Sequence, residues 1–451
     1  MPFIIALVFL VLASVLFHFL SPWYFTPIAS NWSGIDQTVE ITFWVSGFVF
    51  IALNLFMAFA VYKFRYKKNR RSKYEPENKN LEIWLTVLTT IGVSGLLIPG
   101  LFVWADFVNV PDEAHEVEVI GQQWQWSFRY PGADGQLGAA DASNLTAENP
   151  FGMDPDDPYG QDDILVSRNE MHLPLDRPVK VLLRSKDVLH DYAVAQFRVK
   201  MDMVPGSVSY MWFTPTLAGT YDILCEELCG LGHFVMRGKV VVESEEDYSN
   251  WLDSQMTYAE LNAQAEGNPQ VGQALYAVCV ACHGVNGEGN EALNAPNLTG
   301  LEPWYIKRQI NYYKTGVRGA ENDVVGMAMA PMVAVLANDD AINNVAAYIE
   351  TLPNILAPTT ISGDINNGRA LFEPVCGICH SVDGGGIWAV NAPALSGMSD
   401  WYLVRQLQNF KSGVRGTHQN DEFGFQMTSM VTALKGDQAI NDVVAYINTL
   451  R

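Results

Sequence analysis

The chain has 451 residues, and its 49 acidic side chains outnumber its 28 basic ones, giving a net charge of −21. This balance disfavours a nucleic-acid partner, because phosphate backbones attract Lys and Arg, and it favours association with a basic protein surface. The hydrophobic content of 49% is unevenly distributed along the chain. The sequence therefore predicts about three or four domains, of which one part lies in a membrane and the rest in water.

Three stretches near the N-terminus contain no Asp, Glu, Lys or Arg, namely 1–35, 41–62 and 83–105. The last two are long enough to cross a bilayer, so residues 36–110 are predicted to form a transmembrane helical hairpin. Residues 1–35 are predicted to be an N-terminal apolar segment, either an extra transmembrane span or an uncleaved signal. A cleaved signal is disfavoured, because the basic start and the small-residue cleavage site are missing.

The loop 63–73 holds seven basic residues and no acidic one. The positive-inside bias places this loop in the cytoplasm, so everything from about Asp106 onward is predicted to be exported. We expect a multi-pass protein of the bacterial inner (plasma) membrane with periplasmic domains. The acidic insert 131–163 carries eight acidic side chains and no Lys or Arg. No calcium-binding spacing appears in it, so a solvated loop is the simpler interpretation.

All six cysteines fall into three short motifs. Two of these motifs read C-x-x-C-H, a pattern typical of covalent c-type haem attachment. A zinc site needs further ligands near by, and a dithiol pair does not need the His, so both alternatives explain less. The predicted haem ligands are, for haem c 1, Cys279, Cys282 and His283, and, for haem c 2, Cys376, Cys379 and His380.

The two haem motifs belong to an internal repeat with an offset of 97, which later becomes 98. Residues 267–355 and 362–451 are therefore predicted to be two all-α cytochrome c domains, joined to the preceding domain by an acidic linker, 246–266. Amphipathic helices are predicted at Ala341–Leu352 and Ala439–Leu450. The repeat also pairs Pro296 with Pro393, whose carbonyls are expected to orient the two iron-binding His rings.

Each haem also needs a sixth iron ligand, usually Met in an electron carrier. The repeat leaves two pairs open, Met329 with Met427 and Met332 with Met430. The two halves resemble the small dihaem cytochromes c, and that resemblance implies Met329 and Met427. The other pair remains the alternative, because Met also serves as core filler.

The third cysteine motif contains two thiolates, an imidazole and a thioether within twelve residues. This donor set is typical of copper in electron transfer, and two Cys allow both sulfurs to bridge two coppers. His190, which follows an apparent strand, supplies the second imidazole. The alternative is a disulfide with an incidental His and Met. The predicted donors are Cys225, Cys229, His233, Met236 and His190.

Alternating apolar residues over 179–183 and the run 240–242 predict strands of a β-sandwich around this motif. Residues from about 36 to 252 resemble subunit II of the cytochrome c oxidases, a helical hairpin followed by a cupredoxin-like domain, here 111–245. The resemblance implies a dinuclear copper A centre, to which the Glu227 carbonyl contributes. It also implies that the Glu227 carboxylate helps to hold Mg²⁺ at the interface with subunit I.

Two further residues acquire roles through the same resemblance. Trp124 matches the tryptophan through which electrons enter copper A, although Gln125 replaces the usual Tyr and a packed core aromatic is the alternative. Glu82 is placed like the glutamate at the mouth of a proton channel into subunit I. A membrane-edge carboxylate in the headgroup region is the alternative.

The fold class predicted is thus a multidomain membrane protein with transmembrane helices, a cupredoxin-like β-sandwich and two all-α cytochrome c domains. The resemblance implies subunit II of a respiratory cytochrome c oxidase, which relays electrons to subunit I for O₂ reduction coupled to proton pumping. No catalytic residue is expected in this chain. The expected partners are subunits I and III, and a cytochrome c or an upstream quinol-oxidising complex as the donor. The alternatives are the small subunit of a copper A nitric oxide reductase and a membrane-tethered electron carrier.

Overall fold

The computed structural model describes residues 2–21, 26–68, 71, 76–146, 149–167, 169–262 and 267–451. Parts of four predicted segments lie outside these ranges: the N-terminal segment at 1 and 22–25, the basic loop at 69–70 and 72–73, the acidic insert at 147–148, and the linker at 263–266.

The N-terminal part consists of three helices that are long and apolar enough to cross a membrane. They are α1 (Pro2–Leu20), α2 (Ser33–Lys63) and α3 (Lys79–Val108). The Asn78 side chain accepts a hydrogen bond from the backbone N–H of Leu81 and so caps the start of α3. The prediction of apolar N-terminal helices is confirmed.

The predicted β-sandwich consists of two five-stranded sheets, in the strand orders β3-β2-β1-β5-β8 and β4-β10-β9-β6-β7. The strands are β1 (His115–Gln122), β2 (Gln125–Tyr130), β3 (Ile164–Val166), β4 (Glu170–Pro174), β5 (Val179–Ser185), β6 (His190–Val194), β7 (Val199–Met203), β8 (Val208–Phe213), β9 (Gly219–Cys225) and β10 (Arg237–Glu243). Side chains of β5 alternate between buried and half-buried, as the sequence predicts for a strand with one face in the core.

The sheet register places the predicted copper-binding motif at one end of the sandwich. Strand β6 pairs with β9 so that Tyr192 lies opposite Cys225, which brings His190 close to the end of β9. Strands β9 and β10 are antiparallel, with Leu224 opposite Arg237. The connection between them therefore starts and ends at the same place, and it carries the remaining predicted copper donors.

The acidic insert is anchored by an ion cluster. The Arg129 guanidinium contacts Glu118 at 2.8 Å and Asp163 at 2.9 Å, and all three side chains are buried. Burial raises the pKa of Asp163 to about 7, against the opposing charge of Arg129. Phe151 and Met153 of the insert are also buried. The predicted solvated loop is thus exposed along only part of its length.

The segment predicted as an acidic linker begins with helix α4 (Glu245–Asp253), which packs on the sandwich. Tyr248 of this helix is 2% exposed, and Trp251 stacks on His172 with ring centroids 4.0 Å apart. Because these aromatic side chains join the sandwich core, α4 extends that domain beyond its last strand.

The C-terminal half is built from two repeats of short helices. Helix α5 (Tyr258–Asn262) precedes the repeats and packs on the acidic insert through Tyr258. The helices of the repeats are α6 (Pro269–His283), α7 (Pro303–Lys314), α8 (Met329–Val333), α9 (Asp339–Glu350), α10 (Ile365–Leu371), α11 (Gly377–His380), α12 (Asp400–Ser412), α13 (Glu422–Met430) and α14 (Gly436–Ile447). Helix α6 crosses α9, and α10 crosses α14. Glycines at the crossings, Gly272 and Gly368, let the backbones approach closely.

The two predicted amphipathic helices exist, but α9 and α14 begin and end two or three residues before the predicted bounds. The cause for α9 is a cap, because the Asn338 side chain accepts a hydrogen bond from the backbone N–H of Ala341. The apolar pattern shows which residues face the core, and the polar cap decides where the helix starts.

The two repeats also contact each other through paired hydrogen bonds. Arg308 of the first donates to the carbonyl of Asn391 in the second at 2.9 Å, and Arg405 of the second donates to the carbonyl of Asn294 in the first at 3.1 Å. These reciprocal bonds, with the same offset of 97 in sequence, relate the repeats by an approximate two-fold arrangement.

Candidate copper centre and haem cavities

The predicted copper donors converge on the two cysteines of the β9–β10 connection. The Sγ atoms of Cys225 and Cys229 are 3.7 Å apart, and both cysteines are buried and free. His190 Nδ1 lies 3.9 Å from the Cys225 sulfur, and His233 Nδ1 lies 3.5 Å from the Cys229 sulfur. Met236 Sδ is 3.7 Å from the Cys229 sulfur. Three side chains thus surround the pair of cysteine sulfurs, and no disulfide is formed.

The sixth predicted donor is a backbone atom. The carbonyl oxygen of Glu227 lies 3.2 Å from the Cys225 sulfur, on the connection between the two cysteines. The three donors His190, Cys225 and Cys229 lie within 4.8 Å of one another, as a shared metal requires. The hydrogen bond between the two sulfurs is the largest cause of a lowered pKa at Cys225 and of a raised pKa at Cys229.

Asp187, to which the sequence analysis gave no role, orients the buried His190. The Asp187 carboxylate lies 2.8 Å from His190 Nε2 and accepts a second hydrogen bond from the backbone N–H of Gln123 at 2.6 Å. This contact leaves Nδ1 of the ring facing the cysteine sulfur. A carboxylate behind a ligating His is a frequent second layer of a metal site. The spacing of three residues before His190 is the signal that could have identified it.

Trp124 contacts the copper-binding connection directly. Its indole Nε1 donates to the carbonyl of Cys229 at 3.1 Å, and the Gln123 side chain donates to the same carbonyl at 2.7 Å. Gly230 and Gly232 pack against the ring, with no space for side chains. Trp124 is 1% exposed, which fits the alternative of a packed core aromatic, and its role in electron entry stays a prediction.

The first cytochrome repeat encloses a cavity whose wall includes Cys279, Cys282 and His283. His283 Nδ1 is 2.9 Å from the carbonyl of Pro296, as the repeat predicts, and this bond fixes the ring. Within the described residues its buried Nε2 has no hydrogen-bond partner. Burial lowers the pKa of His283, which favours the neutral imidazole that binds iron.

The second repeat has a matching cavity, lined by Cys376, Cys379 and His380. His380 Nδ1 lies 2.8 Å from the carbonyl of Pro393, the repeat partner of the first proline. Burial lowers the pKa of His380 and raises the pKa of the Cys376 thiol to about 12. In both cavities the iron-binding His predicted from the sequence is therefore held by a proline carbonyl and favoured in its neutral form.

The methionines of both candidate pairs for the sixth iron ligand line the two cavities. In the first repeat, Met329 packs against the core, whereas Met332 is 43% exposed, which favours Met329. In the second repeat, Met427 and Met430 both line the cavity and both are half-buried. Burial does not distinguish them there, and Met427 remains a prediction from the repeat.

The wall between the two cavities contains two buried guanidinium groups. Arg318 donates to Gln309 at 2.6 Å and Arg415 donates to Gln406 at 2.7 Å, and each also reaches the other's glutamine. Among the described residues no carboxylate forms an ion pair with either arginine. Because a buried charge is costly without a counter-charge, both arginines are suited to an anionic group in the cavities.

Two predicted roles rest on carboxylate side chains, those of Glu82 and Glu227. Glu82 is exposed in the first turn of α3, near the end that follows the basic loop. Glu227 is half-buried on the β9–β10 connection, where its backbone carbonyl faces the cysteines. The proton-channel and magnesium roles of these carboxylates stay predictions.

Family comparisons agree with this division of the chain. Residues 115–245 match the family described as cytochrome c oxidase subunit II, periplasmic domain. Residues 270–353 and 365–451 each match the cytochrome c family. The chain is 27% identical to the solved structure of reduced recombinant cytochrome c4 from Pseudomonas stutzeri, over 40% of this chain and 97% of that one, with a TM-score of 0.33.

Two curated relatives extend the comparison. The chain is 56% identical over 262 residues to the alternative cytochrome c oxidase subunit 2 of Bradyrhizobium diazoefficiens, which covers 58% of this chain and 95% of the relative. It is 28% identical over 228 residues to cytochrome c oxidase subunit 2 of Cereibacter sphaeroides, covering 47% of this chain and 74% of the relative. These matches support an electron-transfer role in a terminal oxidase. The chain belongs to the cytochrome c oxidase subunit II family and carries two cytochrome c domains after its subunit II domain.

Proposed function

We propose that the chain is the electron-accepting subunit of a respiratory cytochrome c oxidase in the bacterial inner membrane. In this proposal it holds one dinuclear copper A centre and two covalent haem c groups and works with subunits I and III. The observation that carries the proposal is the set of six donors around the Cys225 and Cys229 sulfurs, 3.7 Å apart.

The donor set fits a copper pair. Two thiolates can bridge two metal ions, and the imidazoles of His190 and His233, the thioether of Met236 and one carbonyl complete a soft environment. The strands on either side hold these donors in place without the metal, because all six lie at strand ends or in one short connection. A site fixed in this way needs little rearrangement when its charge changes.

The cavities likewise fit haem. Each combines two thiols, a neutral imidazole held by a proline carbonyl and an apolar wall. The uncompensated guanidiniums of Arg318 and Arg415 suit the two negatively charged propionates that haem carries. When bound, the haems and the copper pair would supply one-electron transfer from a donor toward the haem–copper centre of subunit I.

The chain's own residues orient and insulate these groups. Asp187 holds the His190 ring, while the prolines hold the two His rings of the repeats. Burial of the sandwich core excludes water from the cysteine pair. In the proposed complex, Glu82 receives protons at the cytoplasmic side and the Glu227 carboxylate helps to bind Mg²⁺ against subunit I.

The test is spectroscopic and starts with the complex purified from membranes. We expect an EPR signal of two coppers sharing one unpaired electron, two haem c per chain, and oxygen uptake. His190→Ala should abolish the copper signal and keep both haems. The matched control is His172→Ala, which removes a buried His of the same sandwich that lies outside the cysteine site.

Three results would contradict the proposal. A copper signal that persists in His190→Ala, or a signal of a single copper ion, would overturn the dinuclear site. Consumption of nitric oxide without oxygen uptake would replace the oxidase assignment with a nitric oxide reductase. Purification without a haem–copper subunit I would leave a tethered electron carrier.

A further inference from the structure

The second cytochrome module, residues 365–451, lies directly on the copper-bearing sandwich. The Gln426 side chain donates to the backbone carbonyl of Trp124 at 3.0 Å, and the Asn391 side chain, from the same module, lies 3.5 Å from the Gln125 side chain. Cys379 of the haem motif packs against the core of the sandwich. The module that ends the chain is therefore docked on the domain that precedes both modules.

Trp124 lies at the centre of this contact and belongs to both sites. One side of the residue faces the copper-binding connection, where the indole donates to the Cys229 carbonyl and packs on Gly232. The other side forms part of the wall of the second cavity, together with Cys379 and His380. Because Trp124 is 1% exposed, an outside protein cannot touch it in this arrangement.

The first cavity differs from the second in the domains that form its wall and in its exposure to solvent. All the residues in its wall belong to the two cytochrome modules, and none belongs to the sandwich within the described part of the chain. Its wall also includes apolar side chains that are exposed to solvent: Val278, Leu293, Val325 and Met332. Among the described residues, no side chain in the wall of the second cavity is an exposed large hydrophobic one.

The two cavities share one wall, formed by Tyr305, Gln309, Met398, Tyr402 and Gln406. The order in space is therefore the first cavity, the shared wall, the second cavity, Trp124 and the copper-binding connection. Solvent access lies at one end of this series and the copper donors lie at the other. The sequence repeat could not give this order, because the two modules carry equivalent motifs.

We propose that the second module is a permanently docked electron donor to the copper domain and that electrons from outside enter only at the first module. Trp124 is the positioning residue that joins the second module to the copper-binding connection. In each transfer one electron leaves the second module, which is oxidised, and reaches the copper domain, which is reduced, and no bond forms or breaks. The donor to the first module is an external one-electron redox protein. This inference rests on the proposed function.

The test compares two matched variants of the full-length complex by pulsed EPR. Cys376→Ala/Cys379→Ala removes the second haem, and Cys279→Ala/Cys282→Ala removes the first. An oxidised haem accelerates the spin relaxation of a nearby copper centre, and the effect falls steeply with distance. We expect loss of the second haem to slow the copper relaxation, whereas loss of the first leaves it unchanged. The opposite pattern, or equal effects, would overturn the inference.

A second measurement covers the case in which a module without haem does not fold. Hydroxyl-radical footprinting of the unmodified complex should oxidise Trp124 as little as Trp126, which is 0% exposed in the same sandwich. Ready oxidation of Trp124 would show that the second module does not cover it and would overturn the inference. Failure of the proposed function would look different, since the wild-type complex would then lack the two-copper signal or the haems.

Discussion

Gly232 offers the sharpest perturbation of the link between Trp124 and the copper-binding connection. A Cβ built on Gly232 would overlap the indole ring, with the Cδ2 and Cε3 atoms closest and Cγ at 2.8 Å. Carbon atoms in contact normally lie about 3.5–4.0 Å apart, so the Gly232→Ala variant requires a displacement of about 1 Å. Trp124 is 1% exposed, and the open space beside it is the second cavity, whose wall it helps to form.

Overpacking of this kind costs about 1–3 kcal/mol. For a domain of this size we expect the thermal transition of the sandwich in calorimetry to fall by roughly 3–12 °C. The neighbouring donor His233 should shift as well, so the copper signal should broaden or weaken. The matched control is Gly397→Ala, because a Cβ there meets nothing closer than 3.8 Å.

A double-mutant cycle assigns the cost to the indole. Trp124→Leu removes the ring atoms that the new methyl group would meet, so Gly232→Ala should cost much less in that background than in the wild type. An equal cost in both backgrounds would refute the argument from steric overlap. So would a Gly232→Ala complex with unchanged melting temperature and copper signal.

Three further outcomes follow from the structure. Met329→Ala should lower the reduction potential of one haem in a redox titration, because Met ligation raises that potential. The same shift in Met332→Ala, which replaces the exposed Met, would refute the choice of ligand. Gly368→Ala should lower the melting temperature of the second module, because the new Cβ would lie 2.9 Å from Tyr446 Cβ across a helix crossing. Burial and, to a lesser degree, Arg177 lower the pKa of His115 to about 4. Below pH 6.5, His115 therefore binds a proton in the unfolded chain but not in the folded chain. The free energy of unfolding should therefore decrease by up to about 3 kcal/mol as pH falls from 6.5 to 4. In His115→Gln the melting temperature should depend less on pH over that range, and an unchanged pH dependence would contradict the prediction.

The candidate metal-binding residues could be grouped from the sequence because their spacing is local. Cys225 through Met236 lie within twelve residues, and each haem motif lies within five, so chemistry alone constrains them. His190 is more distant: the sequence placed it after an apparent strand, which is β5, and the structure has it at the start of the next strand, β6. The alternation of apolar residues predicted the buried face of β5.

The contacts that join the domains could not be predicted in this way. Gln426 and Trp124 are 302 residues apart, and their bond runs from a side-chain amide to a backbone carbonyl. Any residue offers such a carbonyl, so no pattern of residue types marks it. The buried pairing of Arg129 with Asp163 was hidden for a related reason, because the carboxylate lies in an insert whose composition is typical of a solvated loop.

The nature of the docked surface explains why the second module is covalently attached. Among the described residues, two hydrogen bonds join the module to the sandwich, and both are made by neutral side-chain amides, those of Gln426 and Asn391. Two neutral hydrogen bonds would hold a freely diffusing protein only weakly. Attachment raises the effective concentration of the module, so a weak contact stays formed. Charge steering is then needed only for the outside donor, which meets a chain of net charge −21. Added salt should therefore slow reduction of the first module by a basic cytochrome, while transfer from the second module to the copper domain keeps its rate.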